Sequence, residues 1–218
     1  MSSCVIAEFH VGLDFKIPLV ETLKIMANKL KVKELIVEVA RDVFSKYGYK
    51  KTTMDDIAVG ARKGKSSIYY YFKSKEEIYE AVVDTESHLL FDEILSKTEQ
   101  PLPANEKFKL YVFTRLNKIR ELTNFYEVMK NESLHQLDFI MDLRNKYHAR
   151  EISILQNILN EGVKSREFSI QDPELAAIAL VTAIQGLETP LLIKGEKRDL
   201  EKRIDYVVRI LFFGIMRR

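Results

Sequence analysis

Thr52-Thr53-Met54-Asp55-Asp56-Ile57-Ala58-Val59-Gly60-Ala61-Arg62-Lys63-Gly64-Lys65-Ser66-Ser67-Ile68-Tyr69-Tyr70-Tyr71-Phe72-Lys73-Ser74-Lys75-Glu76-Glu77 decides the reading of this 218-residue chain. Thr53 is placed to cap a short helix through Ala61, with Asp55 and Asp56 in the first turn where the helix dipole favours acids. A Gly-containing break follows, and Lys65 or Ser66 opens a third helix through Phe72. Ser74-Lys75-Glu76-Glu77 then reads as a capping box for a fourth. A bracing helix, a tight turn and a helix free to present its side chains form the layout of a helix-turn-helix.

Outward from this stretch the pattern stays helical. From Val32 the apolar positions 32, 35, 36, 39, 40, 43, 44 and 47 form one helix face, and Gly48 is placed to end it in a left-handed conformation. Beyond the fourth helix, Pro101 and Pro103 break the chain, and Asn105 is the expected cap of a helix carrying Phe108, Tyr111, Val112, Leu116 and Ile119. Thr123-Asn124 marks another break. A long helix is expected from about Phe139 to Val163. Asp172-Pro173-Glu174 is a start signal for an Ala-rich helix to about Ile193, and a last helix is expected from Leu200 to about Met216. No strand and no internal repeat is legible, so the fold class is all-α with about nine helices. Residues 1–29 have weak periodicity and read as an N-terminal extension, with Met26 an alternative initiator.

Composition narrows the function. Eight Lys/Arg (46, 50, 51, 62, 63, 65, 73 and 75) face only Asp55 and Asp56 between Lys46 and Lys75, although the whole chain carries a net charge of only +2. A basic module on a mildly acidic body suits polyanion binding at one end. The single cysteine, Cys4, excludes an intrachain disulfide and points to a reducing cytoplasm. No apolar run is long enough for a membrane span.

Thr52 to Ala58 followed by Ile68 to Glu77 resembles the DNA-binding signature of TetR-family transcriptional regulators, a resemblance at motif level over about residues 30–82. It implies a helix-turn-helix DNA-binding domain over 30–76 and a helical effector-binding and dimerisation domain over 77–218. By this resemblance Ser66, Ser67 and Tyr70 face base edges, with Tyr69 close to the groove wall, while Thr53, Lys65, Tyr71 and Lys75 contact phosphates. Ile57, Ala58, Ile68 and Phe72 form the module's core. The family usually places Gly and an apolar residue where this chain has Arg62 and Lys63, which puts the turn's geometry in question. The resemblance further implies a ligand-released repressor that binds a palindromic operator in double-stranded DNA as a homodimer. The apolar stripes of the last two helices, with Ile184, Leu187, Leu191, Val208, Leu211, Phe212 and Ile215, are the expected dimer interface. An effector pocket is expected around Phe108, Tyr111, Phe113, Tyr126, Met129, His135, Phe139 and Met141. Its aromatic and Met content with few interior charges suggests a hydrophobic or amphipathic small molecule.

Three rival readings are weaker. Gly60-Ala61-Arg62-Lys63-Gly64-Lys65-Ser66 resembles a phosphate-cradling loop of a nucleotide-binding enzyme. It has one residue too few between its glycines, and a helix stands where a strand is required. His135, Asp138, Asp142 and His148 lack a metal-ligand spacing, so no metal, no cofactor and no catalytic residue is expected. A helical interaction module with only non-specific polyanion binding would not need the turn chemistry of residues 52–77.

Overall fold

The computed structural model describes residues 19–134, 137–193, 202, 205–206 and 208–210, and of 19, 132 and 187–193 the backbone only. It is all-α. In chain order the helices are α1 (Leu19–Tyr47), α2 (Met54–Gly60), α3 (Lys65–Tyr71), α4 (Lys75–Thr98), α5 (Ala104–Lys118), α6 (Thr123–Lys130), α7 (Asp138–Lys164) and α8 (Pro173–Ile193), with 3-10 turns at Ile119–Glu121 and Glu132–Leu134. The ninth helix expected over 200–216 falls mostly outside the described residues.

Helix α1 packs on α2, α4 and α6 through Ile36, Ala40 and Phe44, all buried. Gly48 ends it at φ 75°, as its sequence position predicts. The helix also begins well before Val32. Residues 19–29, read from sequence as a weakly patterned extension, are helical but add nothing to the core: Val20, Leu23, Ile25 and Met26, and Leu30 after them, are all exposed. Of these only Ile25 continues the row of 36, 40 and 44; Lys29 interrupts that row and the other apolar positions lie off it, which is why the periodicity fades there although the backbone stays helical.

Around this module α4 runs on into the rest of the chain, packing on α5 and α6, and α7 packs on α5 and α8. The division expected at 76/77 therefore falls inside the first turn of α4, and the two parts share that helix. Asp172 Oδ1 accepts from the backbone N–H groups of Glu174 (3.1 Å) and Leu175 (3.0 Å), the cap expected for α8. The cap of α5 differs from expectation. Glu167, after α7, accepts from the N–H groups of Ala104 (3.1 Å) and Asn105 (3.2 Å), so a carboxylate distant in sequence does the work assigned to Asn105. Thr123-Asn124, read as a break, starts α6. Gly162 is required by packing: a Cβ there would overlap the Phe168 ring.

Candidate nucleic-acid interface

Ile57, Ala58, Ile68 and Phe72 are buried, as expected of the module's core, and they fix α2 and α3 against α1. With Ile68 and Phe72 turned inward, Lys65, Ser66, Tyr69 and Tyr70 share the exposed face of α3. Tyr70 is 67% exposed. Ser67 and Tyr71 are half-buried at the margin of that face, and Tyr71 packs edge-on against Tyr70 with ring centroids 4.9 Å apart. The hydroxyls of Ser66, Tyr69 and Tyr70 both donate and accept hydrogen bonds, so they suit base edges or phosphates.

The turn before α3 is a Schellman motif. Lys63 N–H donates to Ala58 O (3.0 Å), and Arg62 N–H donates to Val59 O (3.1 Å). Arg62 takes the left-handed position at φ 51°, so the chain keeps the turn without the usual glycine and accepts the strain. Arg62→Gly is expected to stabilise the chain by about 0.5–1 kcal/mol, the relief of strain being partly offset by glycine's greater freedom when unfolded. A rise in the urea midpoint at unchanged slope checks this. Gly60 to Ser66 spans the end of α2, this turn and the start of α3, so no strand precedes it and the phosphate-loop reading fails on context.

Two residues assigned to phosphates are otherwise engaged. Thr53 and Asp56 form a closed capping box. Thr53 N–H and Oγ1 donate to Asp56 Oδ2 (2.8 and 2.7 Å), and Asp56 N–H donates to Thr53 Oγ1 (3.2 Å). The Thr53 hydroxyl and backbone N–H, expected to meet a phosphate, are thus already bonded to the Asp56 carboxylate. Those hydrogen bonds hold the Asp56 carboxyl below its usual range. Lys75 turns inward: its ammonium donates to Tyr49 O (2.9 Å) and Thr52 O (3.0 Å) and sits 4.3 Å from the Tyr49 ring centroid. It clamps the α1–α2 loop to α4, leaving one ammonium proton for other use. Lys65 pairs with Asp55 at 2.8 Å, and that hydrogen bond and charge raise its pKa. The pair is exposed, so a phosphate can replace it at little cost.

The sequence reading did not assign α1 to this surface. Lys29 Nζ lies 5.0 Å from the Tyr70 ring centroid and Lys33 Nζ 5.1 Å from that of Phe72.

In the remainder of the chain, Phe108, Tyr111 and Met129 are buried, and Phe113 and Tyr126 are half-buried. His135 lies outside the described residues. Met141 is 41% exposed, which removes it from an interior pocket. Phe139 packs on Tyr49 and Tyr79 (5.4 and 6.4 Å between centroids), at the seam with the helix-turn-helix module, rather than among the pocket residues. The expectation of few interior charges is corrected. Arg115 and Glu151 are both buried and paired, and Tyr111 and Gln185 also donate to Glu151. These ionic groups escape a sequence reading because their partners come from different helices. Lys130, on α6, donates to the Gln185 carbonyl, and burial followed by the Arg115 charge lowers its pKa.

The expected dimer stripe is corrected as well. Ile184 is 1% exposed and Val208 3% exposed within one protomer, so both belong to the protomer's own core. Leu187 and Leu191 lie on the backbone of α8, and their side chains, with Leu211, Phe212 and Ile215, are outside the described residues. The exposed face of α8 carries Leu175, Ile178, Ala179, Thr182 and Gly186. Among the described residues no group of three acidic, His or Cys side chains forms a metal site, and no helix is long and apolar enough to cross a membrane.

An all-α chain whose basic N-terminal part presents a helix-turn-helix is a DNA-binding transcriptional regulator by class. Residues 36–82 match the family of bacterial regulatory proteins called the tetR family. An HTH-type transcriptional regulator of the lacX 3′ region of Lactococcus lactis is 39% identical over 195 residues, covering 82% of this chain and 92% of its own length. The fatty acid metabolism regulator protein of Bacillus subtilis is 26% identical over 184 residues, covering 83% of this chain and 93% of its own. Among solved structures, the transcriptional regulator FadR of Bacillus subtilis in complex with stearoyl-CoA superposes with a TM-score of 0.71 at 24% identity, over 84% of this chain and 99% of that one. The chain belongs to the TetR family of transcriptional regulators.

Proposed function

We propose that the chain is a ligand-released repressor that acts in the cytoplasm as a homodimer on a palindromic operator, by binding rather than by catalysis. The observation that carries this is the exposed face of α3, Lys65-Ser66-Tyr69-Tyr70, held rigidly by a buried core and flanked by basic residues. In this reading Ser66, Tyr69 and Tyr70 meet base edges and the groove wall, Ser67 and Tyr71 work from the margin, and Lys65 exchanges Asp55 for a phosphate. Thr53 and Lys75 act chiefly by fixing the module, with Lys75's remaining proton available to the backbone. One short helix reads few bases, so two copies on a palindrome are needed for specificity. The exposed α8 face through Leu175, Ile178 and Thr182 is the proposed contact between protomers, in place of Ile184 and Val208.

The part from 77 onward is the proposed effector domain, with Phe108, Tyr111, Phe113, Tyr126 and Met129 as its remaining pocket candidates. A relative solved with stearoyl-CoA makes long-chain acyl thioesters the first class to test. An effector releases DNA only by favouring a protomer arrangement that the operator does not. The test is fluorescence anisotropy on the DNA upstream of the chain's own gene against a scrambled duplex at two salt concentrations. The expected result is a preference of about a thousandfold for the upstream DNA, reduced on adding a long-chain acyl-CoA. Equal affinity for both duplexes, erased by salt, would contradict the reading at this operator.

A further inference from the structure

The outer half of α1 precedes the bracing and recognition helices in the chain, yet two of its lysines reach rings at the C-terminal end of α3. Lys29 and Lys33, both exposed, are one helical turn apart on the same face. Lys29 Nζ stands 5.0 Å from the ring centroid of Tyr70, and Lys33 Nζ 5.1 Å from that of Phe72, the C-cap of α3. Lys24 and Lys31 belong to the same helix but point away by roughly 140–160° from Lys29, at about 100° per residue. Thus two ammonium groups of α1 stand at the rim of α3, where a duplex engaged by Tyr70 brings its phosphates. A lysine over an aromatic face keeps its charge and its three donors, so the ring orients the ammonium without neutralising it.

We propose that the outer half of α1 is a second DNA-binding element, in which Lys29 and Lys33 hold phosphates flanking the groove that α3 enters, while Lys29 orients the Tyr70 ring. It rests on the proposed entry of α3 into the major groove. The element adds affinity without base preference and widens the footprint beyond the bases α3 reads.

The test compares two double variants of the full chain, Lys29→Gln/Lys33→Gln and Lys24→Gln/Lys31→Gln, by anisotropy over a salt series on operator and scrambled duplexes. All four residues are exposed, and matching thermal unfolding curves check that folding is unaffected. Each phosphate contact contributes a slope of about 0.9 to log affinity against log salt. The Lys29/Lys33 variant is expected to lose affinity on both duplexes, with a slope shallower by about 1.8, while the Lys24/Lys31 variant keeps the wild-type slope. An unchanged slope for Lys29/Lys33, or the same change for both pairs, would overturn the proposal, the latter indicating a diffuse positive field. Should the wild-type chain fail to prefer its operator, the groove-reading role of α3 fails. The comparison of lysine pairs on the scrambled duplex still decides the role of α1.

Discussion

Glu151→Ala is expected to cost about 3–5 kcal/mol of stability, because it removes the carboxylate from a buried ion pair and leaves the opposite charge in place. Glu151, on α7, is the meeting point of three helices. It accepts from Tyr111 Oη (3.0 Å) and from Arg115 Nε and Nη2 on α5, and from Gln185 Nε2 (2.8 Å) on α8. Arg115 is 1% exposed. Burial alone would depress its pKa, but the charge of Glu151 and the phenol of Tyr111 outweigh this and raise it, so the guanidinium stays charged. Burial, then the Glu151 charge, raises the Tyr111 pKa, so the phenol keeps its proton and donates. Alanine at 151 therefore takes two hydrogen bonds and the facing negative charge from a buried cation. Arg115→Met/Glu151→Met removes both charges and is expected to recover most of the loss, since a hydrophobic pair often matches a buried ion pair in stability. Urea unfolding of the single and double variants checks this. A single variant within about 1 kcal/mol of wild type would mean that water reaches the site, and the buried-pair account would fail.

Much of the helix-turn-helix was legible because its determinants are local. The capping residues Thr53 and Ser74, the left-handed Gly48 and the inward row of Ile57, Ala58, Ile68 and Phe72 lie within a turn or two of what they control. What sequence could not supply was the destination of long side chains. Lys75 has the position of a phosphate ligand, but its four-carbon stem lets it reach back to Tyr49 O and Thr52 O. Glu167 capping α5, and Arg115 meeting Glu151, depend on chain segments brought together only by packing. The dimer stripe illustrates the same limit. A helix whose mean character is apolar on several sides, such as α8, does not declare which side its own protomer covers. Packing assigns Ala177, Val181 and Ile184 to the protomer core and leaves Leu175 and Ile178 outside.

Asn124→Ala is expected to cost about 2–4 kcal/mol, since it cuts a buried polar junction through which α6 holds both α1 and α4. Its amide Nδ2 donates to Arg41 O (3.2 Å) and Ser45 Oγ (3.0 Å) on α1, and to Glu86 Oε1 (2.8 Å) on α4. Glu86 is buried and keeps only the Phe125 N–H (2.8 Å) among these donors when the amide is lost. Burial already raises the Glu86 pKa, against the lowering effect of the Phe125 and Asn124 hydrogen bonds. Removing Asn124 deletes one lowering cause, so the folded-state pKa of Glu86 rises further above its unfolded value. A carboxyl with a raised folded pKa contributes most to stability below the unfolded pKa and loses that contribution as pH rises through the folded value. The deficit of Asn124→Ala relative to wild type should therefore be smaller at pH 5 than at pH 8, as measured by urea unfolding at both. A deficit independent of pH would mean that Glu86 is not the group left exposed to the loss. Hydrogen exchange supplies the second readout. Amides around Arg41 and Ser45 in α1 and in the first turn of α6 should exchange faster, while α7 keeps its protection, because the junction ties α6 to the helix that braces the DNA-reading module. If an effector moves α6, this amide is a direct route by which α1 feels it, and the variant should then bind operator as wild type does while responding less to the effector.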